Sequence, residues 1–500
     1  MKELIEKYKE YRKKIKAYGY AFGLIGWDSS TVAPVNCFKY RGEQIGVLAE
    51  EYLKIEKSRE YKKIVNTLYK NRDKLNKELC KEITDVHKSL TKIDKVPTKE
   101  MVEYSILTNN AMAAWEKAKN ESNYEIFRPY LEKIIEFKKK YVKYCETKTL
   151  KGYDVLLDEF EEGMTQKEYD EFFNLLKKDL VPFVKKIAKT KLEYNRSFLK
   201  KRFETEKQKK FMGYLQKVMC YDTDSGYMAE SEHPFTNAFG ICDVRITTHY
   251  YEDNVSSSIF SVIHELGHAK YMQDVDKKFE GTFMDDGASM AMHESQSRFF
   301  ENIVGRSKPF WDKHFKELKK EFKDELDGIT VNDFVKHINE VELSYIRTEA
   351  DELTYPLHIM LRYDIEKMIF EGKVTAKDLP KVWNEKFYEY FGLKVKNDKE
   401  GILQDMHWSD GSFGYFPTYA LGSAYGAQFL HAMRKDLDFD KACKEDTVQT
   451  ILNWLKDKIH KYGGSKYPKE IIKKATGQDF NAKYYVEYLI DKYSKLYGVK

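Results

Sequence analysis

Proline is scarce in this chain, with 10 residues in 500, against a usual share of about 5%. With few helix breakers and a third of the residues charged, many long helices are expected. Cysteine is sparse too. Cys37, Cys80, Cys145, Cys220, Cys242 and Cys443 are scattered without CxxC spacing, which excludes a thiolate zinc site and argues against a disulfide framework. Long apolar runs are missing. The longest candidate, Ala17 to Trp27, has eleven residues and contains glycines, too short to cross a bilayer. The first 16 residues are dense in Lys and Glu, unlike a signal peptide, so a cytoplasmic protein with free thiols is expected. Net charge is nearly absent as well. Lys and Arg number 86 against 81 Asp and Glu, and the lysines are interleaved with acids, which argues against nucleic acid as a partner. What the chain has in plenty is tyrosine, 37 residues. An apolar ring with a hydroxyl that needs a partner predicts partly wet internal surfaces, such as a groove.

Length leaves room for about three core-sized units, yet no linker, repeat or low-complexity tract marks a boundary. From Met1 to about Lys210 the pattern is helical almost throughout. Between Arg128 and Thr147, for example, Tyr130, Leu131, Ile134, Ile135, Phe137 and Tyr141 recur at helical spacing. Pro97 and Pro129 mark helix starts or junctions. Between Tyr221 and Tyr251 the texture changes. The run from Asp243 to Tyr250 is β-branched and alternates, so it reads as a strand. Asp243, Arg245, Thr247 and His249 share one face; Val244, Ile246 and Thr248 share the other. The polar face is that expected of an edge strand with a solvated side. Beyond Ser256 helices resume, interrupted where Gly411, Gly414, Gly422 and Gly426 cluster around Pro417, a stretch that must begin as a loop.

The decisive feature is His264-Glu265-Leu266-Gly267-His268. Ser256, Ser257 and Ser258 precede it as plausible helix caps, and Ile259, Val262, Ile263 and Leu266 form an apolar stripe. Four residues apart on a helix, the two imidazoles face one point and make a two-point zinc chelate. Glu265 lies beside them, placed to act on a metal-bound water. Fewer than about 0.05 such matches are expected by chance at this composition. Gly267 costs helix stability but lets another segment come close. A catalytic zinc needs a third protein ligand. The small-residue segment Gly287 to Arg298 offers Glu294, steadied by Arg298 one turn on, with His293 as rival; neighbours on a helix diverge, so only one can point at the metal. Asp285 and Asp286 are candidate supports for a ligand histidine or, better, helix caps.

Assembled in order, these residues resemble the carboxypeptidase Taq family of zinc metallocarboxypeptidases. The likeness covers nearly the whole chain. It rests on His233-Pro234-Phe235-Thr236, Asp243-x-Arg245-x-Thr247, the HExxH helix, and His293-Glu294-Ser295-Gln296-Ser297. Further along stand Ile346-Arg347-x-x-Ala350-Asp351 and Gly401-x-x-Gln404-Asp405-x-His407-Trp408. Trp27-Asp28, Pro34 and Arg41 also fit, while Ala33 departs from the bulkier residue usual before the proline. The resemblance implies an all-α fold with a small β-sheet next to the active site, two helical walls flanking a deep groove, and a homodimer. It implies His264, His268 and Glu294 as metal ligands and Glu265 as the catalytic carboxylate.

A carboxypeptidase must hold a terminal carboxylate, and arginine does so through paired charge-assisted bonds. Arg347 is the first candidate, with Tyr419 as a neutral donor; the competing reading is an ion pair with Asp351 one turn on. Arg245 is either a second anchor or the partner of Asp243. His233 and His407 are either donors to substrate or structural. Tyr425 and Gln428 either line the groove or pack in the core. The expected function is removal of single residues from free peptide C-termini with broad specificity. The cofactor is Zn2+, with Co2+ or Mn2+ compatible with the same ligands. The alternatives are a zinc endopeptidase or dipeptidyl-type peptidase on a similar fold. Because the site residues run from His233 to Tyr419, residues 1–500 are expected to form one unit. Residues 1 to about 210 form one wall and about 211 to 500 the metal- and substrate-binding part.

Overall fold

The computed structural model describes residues 1–499. The scarcity of proline is realised as long helices: α1 (Lys2–Thr31), α2 (Phe38–Glu56), α3 (Arg59–Lys70), α4 (Lys77–Lys95), α5 (Thr98–Glu121) and α6 (Tyr124–Cys145). Pro97 caps the start of α5 as expected. Pro129 does not start a helix. It lies inside α6, which begins at Tyr124 because the Asn123 side chain caps it by accepting from Glu125 N.

Apolar stripes gather the helices around two main cores, with a small third cluster of Ile241, Val275, Phe279 and Met284. Tyr8, Ile15, Tyr61, Ile64, Val65, Leu68, Ile83 and Leu90 pack together among α1, α3 and α4. The larger core runs from Val96 to Tyr497. No residue of α2 is buried. Among the described residues no helix is long and apolar enough to cross a membrane.

The sheet has three strands, β1 (Gly226–Glu230), β2 (Thr236–Gly240) and β3 (Asp243–Thr248), in the order β1-β3-β2. β3 is parallel to β1 and antiparallel to β2. It is therefore the central strand, not the edge strand its polar face suggested. Val244, Ile246 and Thr248 are buried as the alternation requires, but Thr247 on the polar face is buried too. Its hydroxyl is consumed locally: it takes a bond from Ser231 Oγ at 2.7 Å and from Phe235 N at 2.9 Å.

The sheet and the following helix meet at the site. The HExxH helix spans Val255–Gln273 and is capped by Asn254, whose side chain accepts from Ser257 N; Ser256, Ser257 and Ser258 lie in its first turn. Ile259, Val262, Ile263 and Leu266 are fully buried, as the stripe predicts. The Glu294 helix, Met290–Arg298, packs across it and continues into a π-helical turn, Phe299–Val304. The glycine-rich stretch begins as a loop and becomes the helix Pro417–Asp436, which packs against the Glu294 helix.

Candidate metal centre and substrate site

Gly267 decides how close the two metal-site helices come. A Cβ there would sit 2.7 Å from Ser297 Cα and 2.8 Å from Gln296 O. Gly422 does the same from the third helix, where a Cβ would lie 2.6 Å from Glu294 Cβ. Backbone is thus brought against backbone, and Glu294 is pressed toward the HExxH helix.

The result is a three-atom cluster. One ligand atom from each of His264, His268 and Glu294 lies within 4.8 Å of the others. Glu294 Oε2 is 3.9 Å from His264 Nε2 and 3.7 Å from His268 Nε2. These distances are too long for hydrogen bonds and leave space between the donor atoms, as a shared cation requires. The tautomer suits this. His264 Nδ1 donates to Glu301 Oε2 at 2.9 Å, so Nε2 keeps its lone pair for a metal. Glu294 Oε1 accepts from Arg298 Nε at 2.8 Å, which leaves Oε2 facing the histidines. Arg298 Nη1 also donates to Glu301 at 3.0 Å, and Arg306 Nη2 lies 3.5 Å from its other oxygen.

The two histidines are pushed in opposite directions. Burial lowers the proton affinity of His264, but the bond to Glu301 and the charges of Glu294 and Glu265 outweigh it, and the pKa is raised. His268 is held well below its usual value by burial and by His264, so it stays neutral, the form that ligates. Burial raises the Glu265 carboxyl, opposed by His264 and by a hydrogen bond from Thr236. Two imidazoles and a carboxylate are a ligand set that fits a divalent transition metal.

His293, the rival ligand, points elsewhere: its Nε2 is 3.0 Å from Asp286 Oδ1 and its ring packs against Tyr271. Asp285 pairs with Lys16 at 2.6 Å. Neither aspartate supports a ligand histidine or caps the Glu294 helix, because Ser289 does the capping.

Arg347 sits in a short 3-10 turn and is buried. Its Nε and Nη2 donate to Asp405 Oδ1 at 3.1 and 2.8 Å, and Nη1 donates to Tyr355 OH at 3.1 Å. The pair with Asp351 is not formed; Asp351 instead accepts from Leu353 N, Thr354 and Glu342 N. With three of its five donors engaged, Arg347 has two left for a ligand. Arg362, fully buried, grips the other oxygen of Asp405 through Nε at 2.7 Å and through Nη2. The Tyr419 ring lies 5.1 Å from the Arg347 guanidinium, and Tyr419 OH is 3.4 Å from His407 Nε2. Burial pushes His407 down to about 4, with the Arg347 charge adding to it and Asp405 opposing. His407 Nδ1 is buried without a partner.

Arg245 makes the pair with Asp243, at 2.7 and 2.9 Å, with its guanidinium against Phe239 and Trp27. His233 is exposed in the turn between β1 and β2. Tyr425 and Gln428 are core residues: Tyr425 OH donates to buried Glu161, and Gln428 bonds to Thr476, Asp479 and Asn481. A separate cavity of about 620 Å³, lined by Ile303, Arg306, Leu430 and Tyr488 among others, contains none of the candidate residues. Sequence reasoning missed Glu301, Tyr355, Tyr415 and Arg362. Tyr415 feels the charges of both Glu294 and Arg347. Glu301 was within reach, since it stands seven residues after Glu294 and so on the same helical face.

A family model described as carboxypeptidase Taq (M32) metallopeptidase matches residues 7–493. The chain belongs to the carboxypeptidase Taq (M32) family. Carboxypeptidase 1 of Bacillus subtilis is 43% identical over 486 residues, covering 97% of each chain. Thermostable carboxypeptidase 1 of Pyrococcus furiosus is 35% identical over 501 residues, covering 99% of this chain and 98% of the relative. Among solved structures, metallocarboxypeptidase 1 of Trypanosoma cruzi superposes with a TM-score of 0.94 at 31% identity, covering 99% of this chain and 100% of that one. As an M32 member the protein is a metallocarboxypeptidase, a peptide hydrolase that uses a divalent metal, on a mainly helical fold with a small sheet.

Proposed function

We propose that this M32 carboxypeptidase removes single residues from free C-termini with broad specificity, using zinc held by His264, His268 and Glu294. The observation that carries this is the convergence of those three side chains within 4.8 Å, with Glu265 on the same helix. When bound, the cation supplies Lewis acidity that lowers the pKa of water and polarises the scissile carbonyl. Glu265 takes the proton of the attacking water and hands it to the leaving amine. Arg347 holds the terminal carboxylate with its two remaining donors, and Asp405 and Tyr355 fix its orientation. His407 and Tyr419 are neutral donors close to Arg347, suited to a substrate carbonyl or carboxylate oxygen. Arg245 and His233 have weaker support, because one is already paired and the other is exposed.

In this reading residues 1–500 act as one unit, with the segment to about 210 as one wall of the groove. The six free cysteines favour a reducing, cytoplasmic setting, and the homodimer rests on family resemblance. Glu265→Gln is the direct test. The variant keeps its metal and loses nearly all turnover; substantial remaining activity removes Glu265 from the reaction.

A further inference from the structure

Glu265 has three rotatable side-chain bonds and sits in a cluster of like and unlike charges, so something must hold its carboxylate in one place. Among the described residues one side chain hydrogen-bonds to it. Thr236 Oγ1 lies 2.5 Å from Glu265 Oε2 and 3.2 Å from Glu265 O. A hydroxyl has one proton, and the shorter contact to a charged acceptor takes it. Oε1 then has no partner, and it is the oxygen left for proton transfer.

Thr236 is itself rigidly placed. It opens β2 and pairs with Ile246 of β3. The residue before it is pinned on both faces: Phe235 N donates to Thr247 Oγ1, Phe235 O accepts from Thr247 N, and the Phe235 ring packs 5.5 Å from Trp27 of α1. The branched Cβ of threonine adds stiffness at χ1 that serine lacks. β2 and α1 together thus aim one hydroxyl at one carboxylate oxygen.

We infer that Thr236 is a positioning residue for the proton-transfer step, fixing Oε2 of Glu265 so that Oε1 faces the attacking water. This rests on the reading of Glu265 as the base. It acts on the reaction step and not on binding of metal or peptide, so its removal should appear in kcat. The test is Thr236→Val, nearly isosteric but without the hydroxyl, beside Thr236→Ser. Metal content, kcat and KM are measured for each. Misplacing a reacting group by about 1 Å costs up to ~100-fold, so Thr236→Val should lose about 10- to 100-fold in kcat, with KM and metal content unchanged. Thr236→Ser should recover most of that loss. In a Glu265→Gln background Thr236→Val should do nothing further, because the group it positions is gone.

Wild-type kcat in Thr236→Val, or equal losses in the Val and Ser variants, overturns the inference. A loss that appears as missing metal or raised KM overturns it too. If Glu265→Gln itself stays active, the reading of the base fails; if Glu265→Gln is dead while Thr236→Val is fully active, only this inference fails.

Discussion

Replacing Glu301 by Gln probes the support of the metal centre. The Glu301 carboxylate is 9% exposed. It accepts from His264 Nδ1 at 2.9 Å and Arg298 Nη1 at 3.0 Å, with Arg306 3.5 Å away. Arg298 and His264, against the cost of burial, hold its pKa far below the usual carboxylate range, so it is charged throughout the working pH range. Gln keeps an acceptor oxygen for the imidazole but removes the charge that makes His264 a better ligand. Losing such a partner weakens metal binding by about 10- to 100-fold, or about 1.4–2.7 kcal/mol. Two partly buried guanidiniums, Arg298 and Arg306, also lose a counter-charge, which is destabilising, so helical content must be checked by circular dichroism. The assay is competition for zinc against a chromogenic chelator, followed by turnover at saturating metal. The expected result is weaker zinc binding with turnover largely restored by excess metal. Unchanged zinc affinity in a folded variant would refute the role given to Glu301.

Gly267→Ala gains about 1 kcal/mol of helix propensity but drives a methyl to within 2.7 Å of Ser297 Cα. Overpacking of this kind costs about 1–3 kcal/mol, and it pushes Glu294 away from the histidines, so bound metal should fall; normal zinc stoichiometry contradicts the packing argument. His314 gives a pH test. Burial first, then Lys313, holds its imidazole down to about 4. The folded state prefers the neutral ring, so the stabilisation is complete above the free value near 6.5 and is lost as pH falls through 4. It amounts to roughly 3 kcal/mol. Denaturant stability of the wild type relative to His314→Gln should therefore shrink from pH 6.5 to 4; a difference independent of pH refutes it.

The convergence of the candidate metal ligands was legible because helical geometry does most of the work. Two histidines four apart must converge, a glycine between them admits a second helix, and Glu294 with Arg298 one turn on supplies a steadied carboxylate. The substrate end was less legible. The partner of Arg347 is Asp405, 58 residues downstream, where local spacing points to Asp351. β3 has the pattern of an edge strand, yet it pairs with β1 on one side and β2 on the other, and the Thr247 hydroxyl on its polar face is taken up by Ser231 and Phe235. The tyrosine excess by itself suggests a wet groove. Several tyrosines instead serve buried carboxylates: Tyr8 on Glu82, Tyr153 on Glu366, Tyr425 on Glu161, Tyr493 on Glu352. Glu82 and Glu352 also meet Arg12 and Lys492, whereas the hydroxyls of Tyr153 and Tyr425 donate to Glu366 and Glu161, and nothing in the spacing reveals which acid each hydroxyl meets. Tyr355, Tyr415 and Tyr419 lie beside Arg347 and Glu294, where the proposed function puts the substrate.

The central claim is that the metal centre and Arg347 together trim free C-termini one residue at a time. The measurement is mass spectrometry of one peptide, with a free or an amidated C-terminus, incubated with metal-replete enzyme and with chelator-treated enzyme. The free peptide should give a ladder of single-residue losses from its C-terminus that the chelator abolishes, and the amidated peptide should resist. Internal cleavage of both peptides at similar rates would contradict the account.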